Sequence, residues 1–157
     1  MVKRKQILRI GLDIDISLIG ISCHLKFYRL SYAMDKNLGF DFKRINDFEI
    51  PGLENEPSLC YPFLIYEDAD FKNEFCLISN HHPQGKLIPS LRQVDFFLMA
   101  RNPIEKKMMN NILQKIRSIS QVVAAYEINP ISTKDMDLLL EEMEIHLLLA
   151  GKADSKA

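Results

Sequence analysis

The sequence predicts an α+β domain, a two-layer sandwich in which a mostly antiparallel sheet carries helices on one face and an amphipathic helix follows at the C-terminus. Two observations predict this class. Short segments in which apolar and polar residues alternate indicate half-buried strands, and longer segments with apolar residues at helical spacing indicate helices. Their order along the 157 residues is β-α-β, β-β, β-α-β and a final helix, so the helices are segregated from most of the strands.

The first three elements precede Pro51-Gly52. Residues 8–16 alternate, which predicts a half-buried strand. An apolar stripe then predicts a helix that ends at Gly39, because glycine readily takes the left-handed conformation found at many helix C-termini. The stripe consists of Phe27, Leu30, Met34 and Leu38. Residues 40–50 return to strand character and stop at the Pro-Gly pair, a strong loop signal.

The central segments predict a hairpin. Residues 59–68 and 73–80 are its two arms, joined by a polar turn. Pro62 cannot donate a ladder hydrogen bond, so the first arm is predicted to be an edge strand or to carry a bulge at its start. The remaining predicted elements are a strand over 93–101, an amphipathic helix over 102–119 and a strand over 121–128.

Composition and charge predict a soluble cytoplasmic protein. The hydrophobic content of 47%, the charged content of 26% and the net charge of −1 are ordinary for a globular domain and give no general attraction to nucleic acid or anionic lipid. The 3 cysteines include no C-x-x-C pair and cannot all pair with one another, which indicates reduced thiols. Arg9, Asp13 and Asp15 interrupt the apolar stretch before Cys23, which argues against an export signal, and no apolar run approaches the ~20 residues of a membrane span.

Residues 87–98, LIPSLRQVDFFL, resemble the signature that names the IPExxxVDY family, a group of small bacterial proteins without an established activity. The positions that match the name are Ile88, Pro89, Val94 and Asp95. Ser90 stands where the family has Glu, and Phe96 stands where it has Tyr. The resemblance therefore implies a shared domain and gives no catalytic role to either of these two positions.

Asp95 is the sharpest candidate for chemistry. A carboxylate among bulky apolar residues can act as an acid or a base. The structural alternative is that Asp95 pairs with Arg92 or Arg29, or accepts hydrogen bonds from backbone N–H groups, because a buried charge needs partners. We favour the structural alternative, in which Pro89 and Asp95 fix how the strand over 93–101 enters the sheet. No residue is assigned a catalytic role.

Metal and cofactor sites are not predicted. Asp13 and Asp15 point to the same side of a strand and can hold a hard cation, but no third ligand lies nearby in sequence. His81-His82 lacks the i, i+4 spacing of metal-binding histidines and is interpreted as part of a solvated turn. Glycine-rich phosphate-binding motifs do not occur in the sequence.

Charge is distributed unevenly along the chain. Residues 47–74 are mainly acidic and residues 86–117 mainly basic, so either segment can steer a partner of opposite charge. Candidate nucleic-acid or partner contacts in the basic segment are Arg92, Arg101, Lys106 and Lys107. Single-stranded RNA binding with stacking on Phe96 and Phe97 is an alternative, less favoured because no RNA-binding fingerprint is present.

The tail over 131–157 lies outside the resemblance, which covers residues 10–130 after a basic lead-in over 1–9. Its predicted helix over 132–151 has an apolar stripe wider than one contact surface needs. The candidate interface residues are Met136, Leu139, Leu140, Met143 and Leu147. Two interpretations remain open: the helix covers the open face of its own sheet, or part of the stripe meets a second copy or another protein.

The leading functional hypothesis is a non-enzymatic cytoplasmic domain that binds a protein partner or regulates one through its surface. An RNA-associated protein that uses the basic segment 86–117 is the first alternative. A small enzyme with Asp95 as its acid or base is the second and weaker one.

Overall fold

The computed structural model describes residues 16–50, 55–69, 72–82, 86–88, 91–128 and 140–148. The strands are β1 (Ser17–Cys23), β2 (Lys43–Arg44), β3 (Phe48–Ile50), β4 (Leu59–Tyr61), β5 (Phe63–Asp68), β6 (Asn73–Ser79), β7 (Phe96–Ala100) and β8 (Val122–Ile128). The helices are α1 (Phe27–Leu38), α2 (Lys106–Arg117) and α3, of which residues 140–148 are described. The predicted strand over 8–16 lies outside these residues except for Ile16.

Six strands form one sheet in the order β2-β5-β6-β7-β1-β8, and every neighbouring pair is antiparallel. Strands β3 and β4 form a separate antiparallel pair. The predicted α+β class with an antiparallel sheet is therefore confirmed. No helix in the described part of the chain is long and apolar enough to cross a membrane.

Helices α1 and α2 cover one face of the sheet. Leu30 and Met34 of α1 and Ile112 and Ile116 of α2 are buried together with the side chains that β1, β6 and β7 direct to this side. Helix α1 ends as predicted, because Gly39 has a φ of 74° and its N–H donates to the Asp35 carbonyl at 3.0 Å. The apolar stripe of the sequence is thus the surface that holds α1 on the sheet.

The opposite face is covered by three pieces: the β3-β4 pair, the segment that leads into β7, and helix α3. Leu140, Met143 and Leu147 of α3 are buried among side chains from β1, β3 and the strands β4 to β7. This position corresponds to the interpretation in which the C-terminal helix covers its own sheet. Because both faces are covered, all residues of β7 are buried and its sequence is a continuous apolar run.

Strand β1 lies inside the sheet, between β7 and β8, and was not predicted. Nearly all of its residues are buried, so SLIGISC lacks the alternation that marks a half-buried strand. Gly20 lets the side chains of Ile128 and Val94 pack closely against the β1 backbone. A Cβ at this position would lie 2.6 Å from Cδ1 of Ile128 and 3.1 Å from Cγ2 of Val94. A strand with a glycine and no alternating pattern resembles a connecting segment when only the sequence is read.

The region from 40 to 68 differs from the prediction in two respects. The predicted strand over 40–50 is two short strands, β2 and β3, which belong to different sheets. The prediction that the arm containing Pro62 is an edge strand is wrong, because β5 has β2 on one side and β6 on the other. Pro62 instead separates β4 from β5 and accepts a hydrogen bond from the Ser79 N–H at 3.3 Å.

Candidate functional site

Asp95 lies immediately before β7, where the ends of β1 and β6 meet. Its backbone N–H donates to the Ile21 carbonyl at 2.9 Å, and its carbonyl accepts from the Asn80 N–H at 2.9 Å. Its carboxylate accepts a hydrogen bond from the Cys23 N–H at 2.8 Å through Oδ2. The other oxygen, Oδ1, lies 2.5 Å from Nε2 of His81. Asp95 therefore joins three strands through backbone and side chain together.

His81 extends this contact to a lysine. Its Nδ1 lies 3.0 Å from Nζ of Lys86. A lysine ammonium group only donates, so Nδ1 accepts in this contact. Both ring nitrogens of His81 are thus engaged within the domain. With both nitrogens engaged, no ring nitrogen is left to take a proton from a substrate, so the arrangement suits a clamp better than a general base.

Asn80, next to His81, holds the segment that leads into β7. Its side chain is fully buried. Its Nδ2 donates to the carbonyls of Leu91 at 3.1 Å and Val94 at 2.8 Å, and its Oδ1 accepts from the Ile88 N–H at 2.8 Å. We call Asn80, His81, Lys86 and Asp95 the Asp95 clamp. The roles of Asn80, His81 and Lys86 were not predicted. The sequence around His81 was interpreted as a solvated turn, and the other two residues lie close to it in the sequence.

The residues that match the family signature fall into two groups. Ile88 and Val94 are buried in the core on the α3 side of the sheet. Asp95 reaches the surface, with 25% of its side chain exposed. Pro89 lies outside the described residues. The backbone N–H donor that was predicted as a partner of Asp95 is present and belongs to Cys23.

Arg101, one of the predicted basic contacts, is already paired within the domain. Nη1 of Arg101 lies 2.6 Å from Oε1 of Glu74, and Nη2 lies 2.8 Å and 3.0 Å from the two carboxylate oxygens of Glu144. These pairs link β7, β6 and α3 and neutralise the guanidinium. Phe96 and Phe97 are buried in the core, so neither ring can stack on a base. The expectation that Arg101 and these two rings serve nucleic acid is wrong for this physical reason.

The other predicted contact residues are Arg92, Lys106 and Lys107, and all three are exposed. Among the candidate interface residues of the tail, Leu140, Met143 and Leu147 are buried on their own sheet and are unavailable to a partner. Met136 and Leu139 lie outside the described residues. The exposed apolar side chains of α3 are Ile145 and Leu148.

The cysteines and acidic residues offer no reactive centre in the described part of the chain. Burial raises the pKa of the Cys23 thiol, and the nearby charge of Asp95 adds to the shift against an opposing hydrogen bond from the Leu25 N–H. Cys60 and Cys76 are also free thiols. Among the described residues, no group of three or more His, Cys, Asp or Glu is placed to hold a metal ion. Asp13 and Asp15 lie outside these residues.

A second candidate site is a groove between α1 and the turn that joins α2 to β8. Its volume is about 570 Å³. Its lining includes Tyr28, Arg29, Tyr32, Lys36, Ser120 and Gln121. The two tyrosines project into solvent, with exposed fractions of 50% and 64%. We call this site the tyrosine groove.

Cations lie against both tyrosine rings of the groove. Nζ of Lys36 is 5.3 Å from the ring centre of Tyr32. The guanidinium carbon of Arg44 is 5.4 Å from the ring centre of Tyr28, whose hydroxyl accepts a hydrogen bond from Arg44. Such cation–π contacts at exposed sites are attractive by about 0.5–1 kcal/mol. Sequence analysis missed the groove because α1 was analysed only for its buried stripe.

The far wall of the groove is a strained turn. Gln121 has a φ of 75°, which L-residues other than glycine rarely adopt. Its carbonyl accepts from the His24 N–H at 3.0 Å, and the Val122 N–H donates to the Ile119 carbonyl at 3.2 Å. These bonds hold the turn against the start of α1 and preserve the shape of the groove.

The fold and the two sites define an α+β domain built on a six-stranded antiparallel sheet. A comparison of the chain with protein-family models, with curated proteins and with solved structures found no match. The class of fold alone does not indicate an activity, so function has to follow from the chemistry of the sites.

The Asp95 clamp leads to a first prediction. We expect Asp95→Asn to lower the free energy of unfolding by about 1–3 kcal/mol, because a charged acceptor for Cys23 and His81 is lost. Urea denaturation near pH 7 measures this change. Arg92→Ala, an exposed neighbour, is the control and should stay within about 0.5 kcal/mol of the wild type. An Asp95→Asn protein of wild-type stability that has lost its cellular function would contradict the structural role.

His146 lies where α3 packs against β3 and β5. Its ring centre is 5.6 Å from that of Phe48 and 4.9 Å from that of Phe63. Among the described residues, its Nε2 is buried without a hydrogen-bond partner. Burial lowers the pKa of His146 below its ordinary value of 6.5, although the Asn46 backbone and the charge of Asp47 oppose the shift. The folded protein therefore favours the neutral ring.

A second prediction follows for pH. The contribution of His146 to stability is fully present above pH 6.5, the pKa of the ring in the unfolded chain. It is lost as the pH falls below 6.5, because the unfolded chain then binds a proton more readily than the folded protein. The loss should stay below about 1 kcal/mol down to about pH 5.5, because the ring is only partly buried. Comparing the melting temperatures of wild type and His146→Phe across this range measures it. Parallel curves for the two proteins would show that His146 is not the group involved.

Proposed function

We propose that the protein is a non-enzymatic cytoplasmic interaction module and that the tyrosine groove is its binding surface. The observation that carries this proposal is the pair of exposed rings, Tyr28 and Tyr32, held beside Arg29 and Lys36 in a preformed groove. Tyrosine and arginine are the residue types most enriched where proteins contact partners. Exposed aromatic side chains that fill no core of their own domain are typical of such surfaces.

The Asp95 clamp supports a non-enzymatic role. Both carboxylate oxygens of Asp95 and both ring nitrogens of His81 already have partners within the domain. A catalytic pair needs at least one group directed at a substrate. The proposed membership of the IPExxxVDY family agrees with this interpretation, because Ile88 and Val94 build the core and Asp95 ties strands together. The free thiols Cys23, Cys60 and Cys76 support a reducing, cytoplasmic location.

Site-specific photo-crosslinking in cells that make the protein tests the proposal. A photoreactive phenylalanine analogue replaces Tyr32 in one variant and Glu141, on the α3 side of the sheet, in a matched control. We expect adducts with a recurring partner from position 32 and none from position 141. Adding Lys36→Glu to the first variant should abolish these adducts. Equal adducts from both positions, or none from position 32, would refute the proposed surface.

A further inference from the structure

The charge of the tyrosine groove selects an anionic ligand. Its lining contains two cations, Arg29 and Lys36, and no carboxylate. Among the described residues, no Asp or Glu lies within ion-pair distance of either cation. Neither cation is neutralised by a carboxylate among the described residues, so both can attract an incoming phosphate or carboxylate.

The aromatic rings indicate which class of anionic ligand fits the groove. Tyr28 and Tyr32 are four residues apart on α1, so they lie on the same side of the helix about 5–6 Å from each other. Both are at least half exposed, at 50% and 64%. Exposed rings beside cations are a combination that binds single-stranded nucleic acid, in which bases stack on rings and phosphates meet Lys and Arg. An acidic peptide without aromatic residues meets the same cations but cannot stack on the rings.

The size and polar groups of the groove agree with this ligand. The groove has a volume of about 570 Å³ and is open to solvent, so a strand can lie along it. Its opposite wall includes Ser120 and Gln121, whose side chains carry hydrogen-bonding groups.

We infer that the tyrosine groove binds single-stranded nucleic acid, with bases stacked on Tyr28 and Tyr32 and phosphates held by Arg29 and Lys36. This inference rests on the proposed function, since it names the ligand of the same surface. It uses different residues from the basic segment 86–117, whose Arg101 is occupied by Glu74 and Glu144.

Fluorescence anisotropy with a labelled oligouridylate of about 12 nucleotides tests the inference, because single-strand sites span about 4–16 nucleotides. Binding by the full chain should weaken from about 50 mM to about 200 mM salt, with a log-log slope near −1.4 for two neutralised phosphates. Lys36→Ala should reduce the steepness of this slope by about 0.7. Tyr32→Ala should weaken binding about 5- to 100-fold, the loss of one stacking platform.

Two variants serve as controls. Tyr32→Phe keeps the ring and should bind like the wild type, and Lys107→Ala removes an exposed cation of α2 and should leave the affinity unchanged. No binding at the lower salt, or an unchanged affinity in Tyr32→Ala, overturns the inference. So does competition by oligoglutamate as effective as that by unlabelled oligouridylate, because charge alone is then recognised. If these outcomes occur while photo-crosslinking still yields a protein adduct at position 32, the inference fails and the proposed surface stands.

Discussion

Asn80→Ala should lower the free energy of unfolding by about 2–4 kcal/mol, because it leaves buried polar groups without their hydrogen-bond partner. The side chain is fully buried, and its loss leaves the Ile88 N–H, itself in a residue only 1% exposed, without its acceptor. The Val94 carbonyl loses its Nδ2 donor at the same time. For a chain of this length, the melting temperature should fall by about 4–16 °C.

Asn102→Ala is the matched control for this substitution. Asn102 is exposed, and its side chain makes one long contact, 3.4 Å from Nδ2 to the Lys72 carbonyl. Its replacement should change stability by no more than about 0.5 kcal/mol. If the Asn80→Ala and Asn102→Ala proteins have the same melting temperature, then the described residues between 86 and 95 are held by their own packing. The side-chain amide of Asn80 then contributes little to stability.

A chain that stops after residue 131 should aggregate or fail to fold. The truncation removes Leu140, Met143 and Leu147 from the core and uncovers one face of the sheet. Burying three such side chains contributes about 5–9 kcal/mol, which is comparable with the whole stability of a domain. Recovery of soluble protein and its circular dichroism spectrum measure the effect. A folded, soluble monomer from a parent that was oligomeric would show that the helix serves mainly as an interface.

Single substitutions in the full chain separate the two faces of α3. Met143 is 1% exposed, and Met143→Ala should cost about 2–5 kcal/mol. Leu148 is 63% exposed, and Leu148→Ala should stay within about 0.5 kcal/mol of the wild type. Equal effects from the two substitutions would contradict the way α3 packs on the sheet.

The fold could be predicted where one face of an element meets water. Helix α1 was predicted because its buried residues recur at helical spacing and Gly39 ends it with a positive φ. Strand β1 was missed because both of its faces are buried, so its sequence carries no alternation. The two short strands between 40 and 50 were merged because nothing in their sequence shows that they join different sheets.

The sites show the same limit at the level of side chains. Asp95 could be singled out because an acid between bulky apolar residues needs partners. His81 could not be named as its partner, since the two residues meet only when the end of β6 lies beside the start of β7. The tyrosine groove joins α1 to a turn almost ninety positions later in the chain, and its strained Gln121 carries no sequence signal of its own.

The central position of β1 has a consequence for synthesis of the chain. Ser17 pairs with Ala100 and Leu18 pairs with Ile128, so the first described strand finds its neighbours only after residues 96–128 have been synthesised. At about 5–20 residues per second, the apolar strand waits roughly 5–20 s with both edges unpaired. Other nascent chains can pair with those edges during this interval. Slower synthesis prolongs this exposure. Lower temperature weakens the hydrophobic association of the exposed strand with other chains.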